Sequence, residues 1–141
     1  MPNKRYDIQQ LIPQRAPIIM VDELLEAAED RAVCKFTIGA DNYFLEPDGR
    51  LAEVALIEHI AQSASAFAGY RALQAGASQP PVGYIAEVKN FRPHFRPAVG
   101  DELLTTITMG AEVGGVSIIQ GQTLTDERVV AETTMKIFVE K

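Results

Sequence analysis

Residues 51–74 read LAEVALIEHIAQSASAFAGYRALQ. The stretch holds no proline and is rich in alanine. Apolar residues fall at Val54, Ile57, Ala61, Ala64 and Ala68, and again at Leu56, Ile60, Phe67 and Tyr70. A surface helix carries a single apolar stripe, whereas a helix that is apolar almost all round is buried on most of its faces. The rest of the chain therefore has to wrap it. Working outward, residues 18–26 and 32–38 read as strands; in the second, Val33, Lys35 and Thr37 alternate with Cys34, Phe36 and Ile38. Four more strand-like runs follow the helix, at 82–91, 102–112, 116–125 and 129–139. Gly114-Gly115 suits a tight hairpin, and residues 126–128 form the next turn. Asp7 is placed to cap a short helix at 8–11, before a loop bracketed by Pro13 and Pro17. Short turns between successive strands imply antiparallel pairing. The order predicts an α+β fold: one long central helix wrapped by a curved antiparallel sheet of about six strands, in a single domain over 1–141.

Bulk composition narrows the function. The 141 residues carry a net charge of −6, which argues against nucleic acid as a partner because phosphate binding needs clustered Lys and Arg. One stretch, 89–96, is locally basic. The lone thiol, Cys34, excludes an internal disulfide and fits a reducing compartment. No apolar run suits a signal peptide or a bilayer span, so a cytoplasmic protein is expected, with no membrane partner. Two histidines and one cysteine make a zinc site improbable, and no glycine-rich phosphate loop is present. No bound cofactor and no metal are predicted. An apolar helix end and a sheet edge both need cover, so a dimer is expected.

The string Leu56-Ile57-Glu58-His59-Ile60-Ala61-Gln62 resembles the helix motif Ile-Ile-Glu-Ala-Met-Ala-Gln of the hotdog-fold β-hydroxyacyl-acyl-carrier-protein dehydratases. Its flanks agree. Residues 11–22, LIPQRAPIIMVD, resemble the family's Leu-Pro-His-Arg-x-Pro segment and following strand. Tyr84-Ile85-Ala86 and Pro97-Ala98-Val99-Gly100-Asp101 resemble the later strand and its Pro-Gly-Asp turn. The resemblance implies a hotdog fold and an acyl thioester ligand, carried on acyl carrier protein or CoA in fatty-acid or polyene-type biosynthesis. It implies a homodimer, or a heterodimer with a hotdog homologue. In the resembled enzymes a loop histidine removes the α-proton and the helix glutamate handles the hydroxyl, the two coming from different subunits. Here that loop reads YFLEPDGRLA over 43–52, with no histidine. The helix-start Pro-Gly is also absent, and a family glycine is replaced by Glu87. The loop is more similar to dehydratase-like proteins of aryl-polyene pathways.

Glu58 matches the catalytic carboxylate; the alternative is a structural ion pair with Arg15 or another cation. Gln62, one helical turn on, shares its face and matches the residue that positions the base; the alternative is a buried amide bonded to backbone. His59 points to a different face and is read as a structural or interface residue. His94 belongs with the basic stretch. Tyr43, Phe44, Asp48, Gly49 and Tyr84 are candidates for substrate binding. Asp48 is alternatively a helix cap, and the two aromatics are alternatively ordinary packing. Lys89, Arg92 and Arg96 are candidates for docking an acidic carrier protein, or else a solvated strand end paired with nearby acids. Three activities stay open: a dehydratase-like lyase, a non-catalytic or half-site subunit completed by a histidine-bearing homologue, and a hotdog acyl thioesterase.

Overall fold

The computed structural model describes residues 6–79 and 81–140. In chain order the elements are α1 (Ile8–Leu11), β1 (Glu23–Ala27), β2 (Arg31–Thr37), α2 (Glu53–Gln74), β3 (Val82–Pro93), β4 (Glu102–Val113), β5 (Val116–Thr125) and β6 (Arg128–Glu140). The strands form one sheet in the order β1-β2-β4-β5-β6-β3, every neighbouring pair antiparallel. The sheet wraps α2, the arrangement the helix composition calls for. After α2 the chain crosses to the far side, so β3 is an edge strand, as β1 is at the other end.

Strand alternation decides what faces the helix. Ala32, Cys34 and Phe36 of β2, Leu103, Thr105 and Ile107 of β4, and Ser117, Ile119, Gly121, Thr123 and Thr125 of β5 point inward and are buried. Near the helix start Leu51, Ala55 and Leu56 pack with Met20, Phe36 and Leu103. Further along, Ile60 and Phe67 pack with Ile107, Ile119 and Met135. On the remaining flank Ala66 meets Leu11, Ile12 and Val21. Each large side chain so buried contributes roughly 1.5–3 kcal/mol.

Two glycines set how closely these parts approach. A Cβ on Gly121 would stand 2.4 Å from Ile60 Cγ2, so β5 and α2 meet only because that side chain is missing. A Cβ on Gly69 would stand 1.9 Å from the backbone oxygen of Leu11, where α1 lies against α2.

The Asp7 cap is present and forms a reciprocal capping box with Gln10. The first strand is shorter than its composition suggests. Residues 18–22 do not join the sheet as strand; β1 begins at Glu23. The reason is that the Ile18 carbonyl and the Met20 amide and carbonyl are bonded to α2 side chains; the backbone turns to β2 only at the Asp22 amide, 2.8 Å from the Lys35 carbonyl. The helix begins at Glu53 rather than Leu51 because the Leu51 amide donates to the Pro97 carbonyl, 2.8 Å away, and holds that residue in the loop. The β4–β5 hairpin turns on Gly114 and Gly115, at φ +61° and +82°. The β5–β6 turn uses Asp126 and Glu127 at φ +47° and +65°, a left-handed backbone that L side chains adopt at a cost. Among the described residues no helix is long and apolar enough to cross a membrane.

Helix propensity favours Gly69→Ala by about 1 kcal/mol, but overpacking against fixed backbone costs about 1–3 kcal/mol. Chemical denaturation should therefore find Gly69→Ala less stable than the wild type; an equal or higher midpoint would contradict the packing described. Glu127→Gly should act in the opposite sense, raising stability by about 1 kcal/mol in the same assay.

Candidate functional site

The loop entering α2 is tied down by the turn after β3. Arg50 and Ala98 form an isolated bridge, and the Arg50 guanidinium donates to the Arg96 carbonyl at 2.9 Å. Asp48 is not the helix cap. The N-cap is Ala52, with no side-chain hydrogen bond. The Asp48 carboxylate instead accepts from the Arg50 amide and pairs with Arg96, which also reaches Glu46 at 2.6 Å. The guanidinium beside it holds the Asp48 carboxyl below the usual carboxylate range. A partner 48 residues away captured an acid that local sequence offers to the helix. Gly49 takes φ +78°, and its amide closes the turn onto the Glu46 carbonyl at 2.9 Å.

The first turns of α2 carry the candidate carboxylate. Glu58 is half-buried, and its Oε2 accepts from Gln62 Nε2 at 2.6 Å. The same Gln62 nitrogen donates to the Ile18 carbonyl at 3.0 Å, and Gln62 Oε1 accepts from the Met20 amide at 2.6 Å. Gln62 is thus the buried amide bonded to backbone that the sequence offers as the alternative, and it also bonds Glu58. Arg15 is not paired with Glu58; its guanidinium donates to the carbonyls of Gln9, Ile12 and Gln14.

His59 is fully buried. Its Nδ1 lies 2.6 Å from the Met20 carbonyl and its Nε2 2.6 Å from Thr105 Oγ1. A carbonyl only accepts, so Nδ1 carries the proton and Nε2 accepts from the Thr105 hydroxyl. Thr105 in turn is 2.6 Å from Thr123 Oγ1. Burial pushes the imidazole pKa down to about 4, against the weaker opposing effect of the Met20 hydrogen bond. With both nitrogens engaged and no surface exposed, His59 cannot act as the base of the groove. His94 is exposed on the β3–β4 connection, with Nε2 3.5 Å from Glu132. A second buried titratable group, the Cys34 thiol, is pushed up to about 12 by burial and stays protonated.

Glu58 opens on a groove of about 1170 Å³ running between α2 and the β3 side of the sheet. Beyond Glu58 the helix wall is mostly small side chains, Ala61, Ala64, Ser65, Ala68 and Ala72, with Arg71 among them. Ile85, Met109 and Ile137 supply apolar surface from the strands, and Gln14 also lines the groove. The Oε1 of Gln14 is buried without a hydrogen-bond partner among the described residues.

Of the residues proposed for substrate binding, Tyr84 is at the rim of this groove. Its cross-strand partner is Phe138, whose own exposure puts that pair on the outer face; Ile85, opposite Ile137, faces in. Tyr43 is 62% exposed and meets Phe44 edge-to-face at 5.1 Å, while Phe44 packs on the core near Met20. These two, with Asp48 and Gly49, belong to the loop before α2 and do not line the groove. Lys89 and Arg92 are exposed on β3, Lys89 with Glu87 at 4.0 Å. Arg96 is committed to Glu46 and Asp48. Sequence reasoning missed Thr105 and Thr123. Inward threonines in a strand are ordinary, and only their meeting with His59 gives them meaning. Among the described residues no cluster of three His, Cys, Asp or Glu side chains could hold a metal ion.

Because an unfolded histidine takes up a proton near 6.5 and folded His59 only near 4, the folded state binds fewer protons between these values. Stability should be complete above about pH 6.5 and fall toward pH 4, by about 1.4 kcal/mol per unit and roughly 3 kcal/mol in all. Urea unfolding at several pH values should show this slope in the wild type and a flatter one in His59→Asn; identical slopes would contradict the buried neutral imidazole.

Comparison with known proteins agrees with this architecture. The family model for ApeP-like proteins, described as ApeP dehydratase, matches residues 6–141. A 3-hydroxyacyl-[acyl-carrier-protein] dehydratase FabZ of Pseudothermotoga lettingae is 28% identical over 142 residues, covering 96% of this chain and 95% of that protein. Among solved structures, a chain of the dehydratase heterocomplex ApeI:P from Xenorhabdus doucetiae superimposes with a TM-score of 0.91. It is 15% identical, over 98% of this chain and 93% of that one. A hypothetical thioesterase with coenzyme A from Streptococcus pneumoniae gives 0.65 at 14% identity, over 83% and 86%. The latter two likenesses bear on the fold, which is the hotdog fold. The helix carrying Glu58 and Gln62, the sheet around it and a family match running from Tyr6 to the last residue lead to one conclusion: this chain belongs to the ApeP-like dehydratase family.

Proposed function

We propose that this chain is the acid-bearing half of a 3-hydroxyacyl-thioester dehydratase, with Glu58 as its catalytic carboxylate and a histidine supplied by a second hotdog chain. One observation carries the reading: Glu58 opens on the groove, while neither histidine of the chain is available there, His59 being sealed and His94 lying outside it. Loss of water from a 3-hydroxyacyl thioester requires a base for the α-proton and an acid for the departing hydroxyl. In this scheme the partner's imidazole takes the proton. Glu58 serves as the acid and passes a proton to the hydroxyl, which leaves as water; the double bond forms between the α and β carbons, and the proton held by the imidazole returns to Glu58 to close the cycle. Gln62 holds Oε2 of Glu58 in place. The cap at Ala52 gives the first turn of α2 no side-chain hydrogen bond.

The partner is proposed to dock along β3. That strand is a sheet edge, it forms one wall of the groove, and Tyr84 and Ile85 on it are 52% and 40% exposed. A second strand laid there would pair the open backbone and roof the groove. A homodimer adds only a second buried His59 and a second His94 set beside Glu132, so a heterodimer is preferred for catalysis. The acyl group is proposed to arrive on acyl carrier protein, with CoA as the alternative carrier, in fatty-acid or polyene-type biosynthesis. Lys89 and Arg92 are the docking charges. Arg96 supports them by holding the loop through Glu46 and Asp48. The single buried thiol favours the cytoplasm as the compartment.

The test incubates 3-hydroxyacyl-carrier protein with this chain, with a histidine-bearing hotdog homologue, and with both. Enoyl product should form only in the mixture, and Glu58→Gln should lower turnover by about 100-fold or more. Enoyl formation by this chain alone, or full turnover by Glu58→Gln, would contradict the scheme. Thiol released from acyl-CoA by this chain alone would replace it with the thioesterase reading.

A further inference from the structure

A one-way series of hydrogen bonds connects the middle of the sheet to the groove carboxylate. It starts at Thr123 on β5, whose hydroxyl donates to Thr105 on β4; Thr105 donates to His59 Nε2, and His59 Nδ1–H donates to the Met20 carbonyl. On the other side of the same residue, the Met20 amide donates to Gln62 Oε1, leaving Gln62 Nε2 for Glu58. Each direction is forced. The Met20 carbonyl can only accept, which fixes the tautomer of His59; the tautomer makes Nε2 an acceptor, which fixes the Thr105 hydroxyl. The Met20 amide can only donate, which fixes Gln62 against flipping. His59, Gln62, Thr105 and Thr123 are all at 0% exposure, so no water competes for these positions.

We propose that His59, held by Thr105 and Thr123, is a positioning residue that fixes the orientation of Glu58 through the backbone of Met20 and the amide of Gln62. The inference rests on the reading of Glu58 as the catalytic carboxylate. His59 itself never touches the ligand. Its role explains why a histidine sits beside the active carboxylate yet faces the sheet. It also explains why residues 18–20 leave strand geometry, since their polar backbone is what transmits the constraint.

The test uses Thr105→Val, which keeps shape and removes the hydroxyl, with Thr105→Ser as the restoring variant and Glu58→Gln as the reference. In the complete two-chain complex, Thr105→Val should lower kcat about tenfold or more while KM stays within about twofold, and Thr105→Ser should recover most of the loss. NMR of the Gln62 side-chain amide provides a second readout independent of turnover: its two proton signals should shift or broaden in Thr105→Val and return in Thr105→Ser. Unchanged kcat in Thr105→Val, where Glu58→Gln abolishes turnover, overturns the proposal. Unmoved Gln62 signals overturn it as well. If Glu58→Gln turns over like the wild type, the catalytic reading is what fails, and the Gln62 signals alone then decide whether the positioning series exists.

Discussion

The grip of α2 on the backbone of Met20 is the constraint on which the rest of the molecule depends. A helix wrapped on nearly every side offers few places for polar groups, and each one buried there needs a partner. His59 and Gln62 each direct one hydrogen bond at the same residue, its carbonyl and its amide respectively. That pairing draws residues 18–20 out of the sheet and seats Met20 in the core beside Phe36 and Leu103. It also leaves a single amide nitrogen of Gln62 for Glu58. Fold and site are joined at this point, because the groups that satisfy the buried backbone are the same ones that hold the carboxylate at the groove.

The sheet sets the other boundary of the site. Placing β3 at the edge leaves the wall of the groove unpaired on its outer side, while the small side chains of α2 keep the groove open on its inner side. A larger residue at the half-buried Ala68 would narrow it, whereas Ala64 is also part of the core against Ile60 and Phe67 and has no room for one. The ion cluster of Arg96, Glu46 and Asp48 serves a different purpose. It is exposed, contributes little to stability, and fixes the path of the loop that delivers the chain into α2.

How much of this could be read from sequence depended on how local the physics was. The long helix was legible because its composition leaves no solvent face, and the later strands because their turns carry Gly114-Gly115 and the polar run at 126–128. Glu58 and Gln62 were legible as one face of that helix through their four-residue spacing. The start of β1 was not, since nothing within residues 18–22 reveals that Gln62, 42 positions away, takes the Met20 amide. Asp48 looked like a cap for the same reason: Arg96 is adjacent only in the folded chain. His59 was correctly turned away from Glu58 by helix geometry. Its partners, Thr105 and Thr123, became visible only when strand register brought them to it.

The central claim is that Glu58 works on an acyl thioester opposite a histidine from another chain. A crystal structure of this chain bound to a histidine-bearing hotdog homologue, with a non-reactive acyl-pantetheine thioester in the groove, tests it most directly. The account predicts the partner along β3, the Glu58 carboxylate within about 3.5 Å of the acyl β position, and the partner's imidazole at comparable distance from the α carbon. An acyl chain lodged away from Glu58, or a partner that leaves β3 open and brings no imidazole near the ligand, would contradict it.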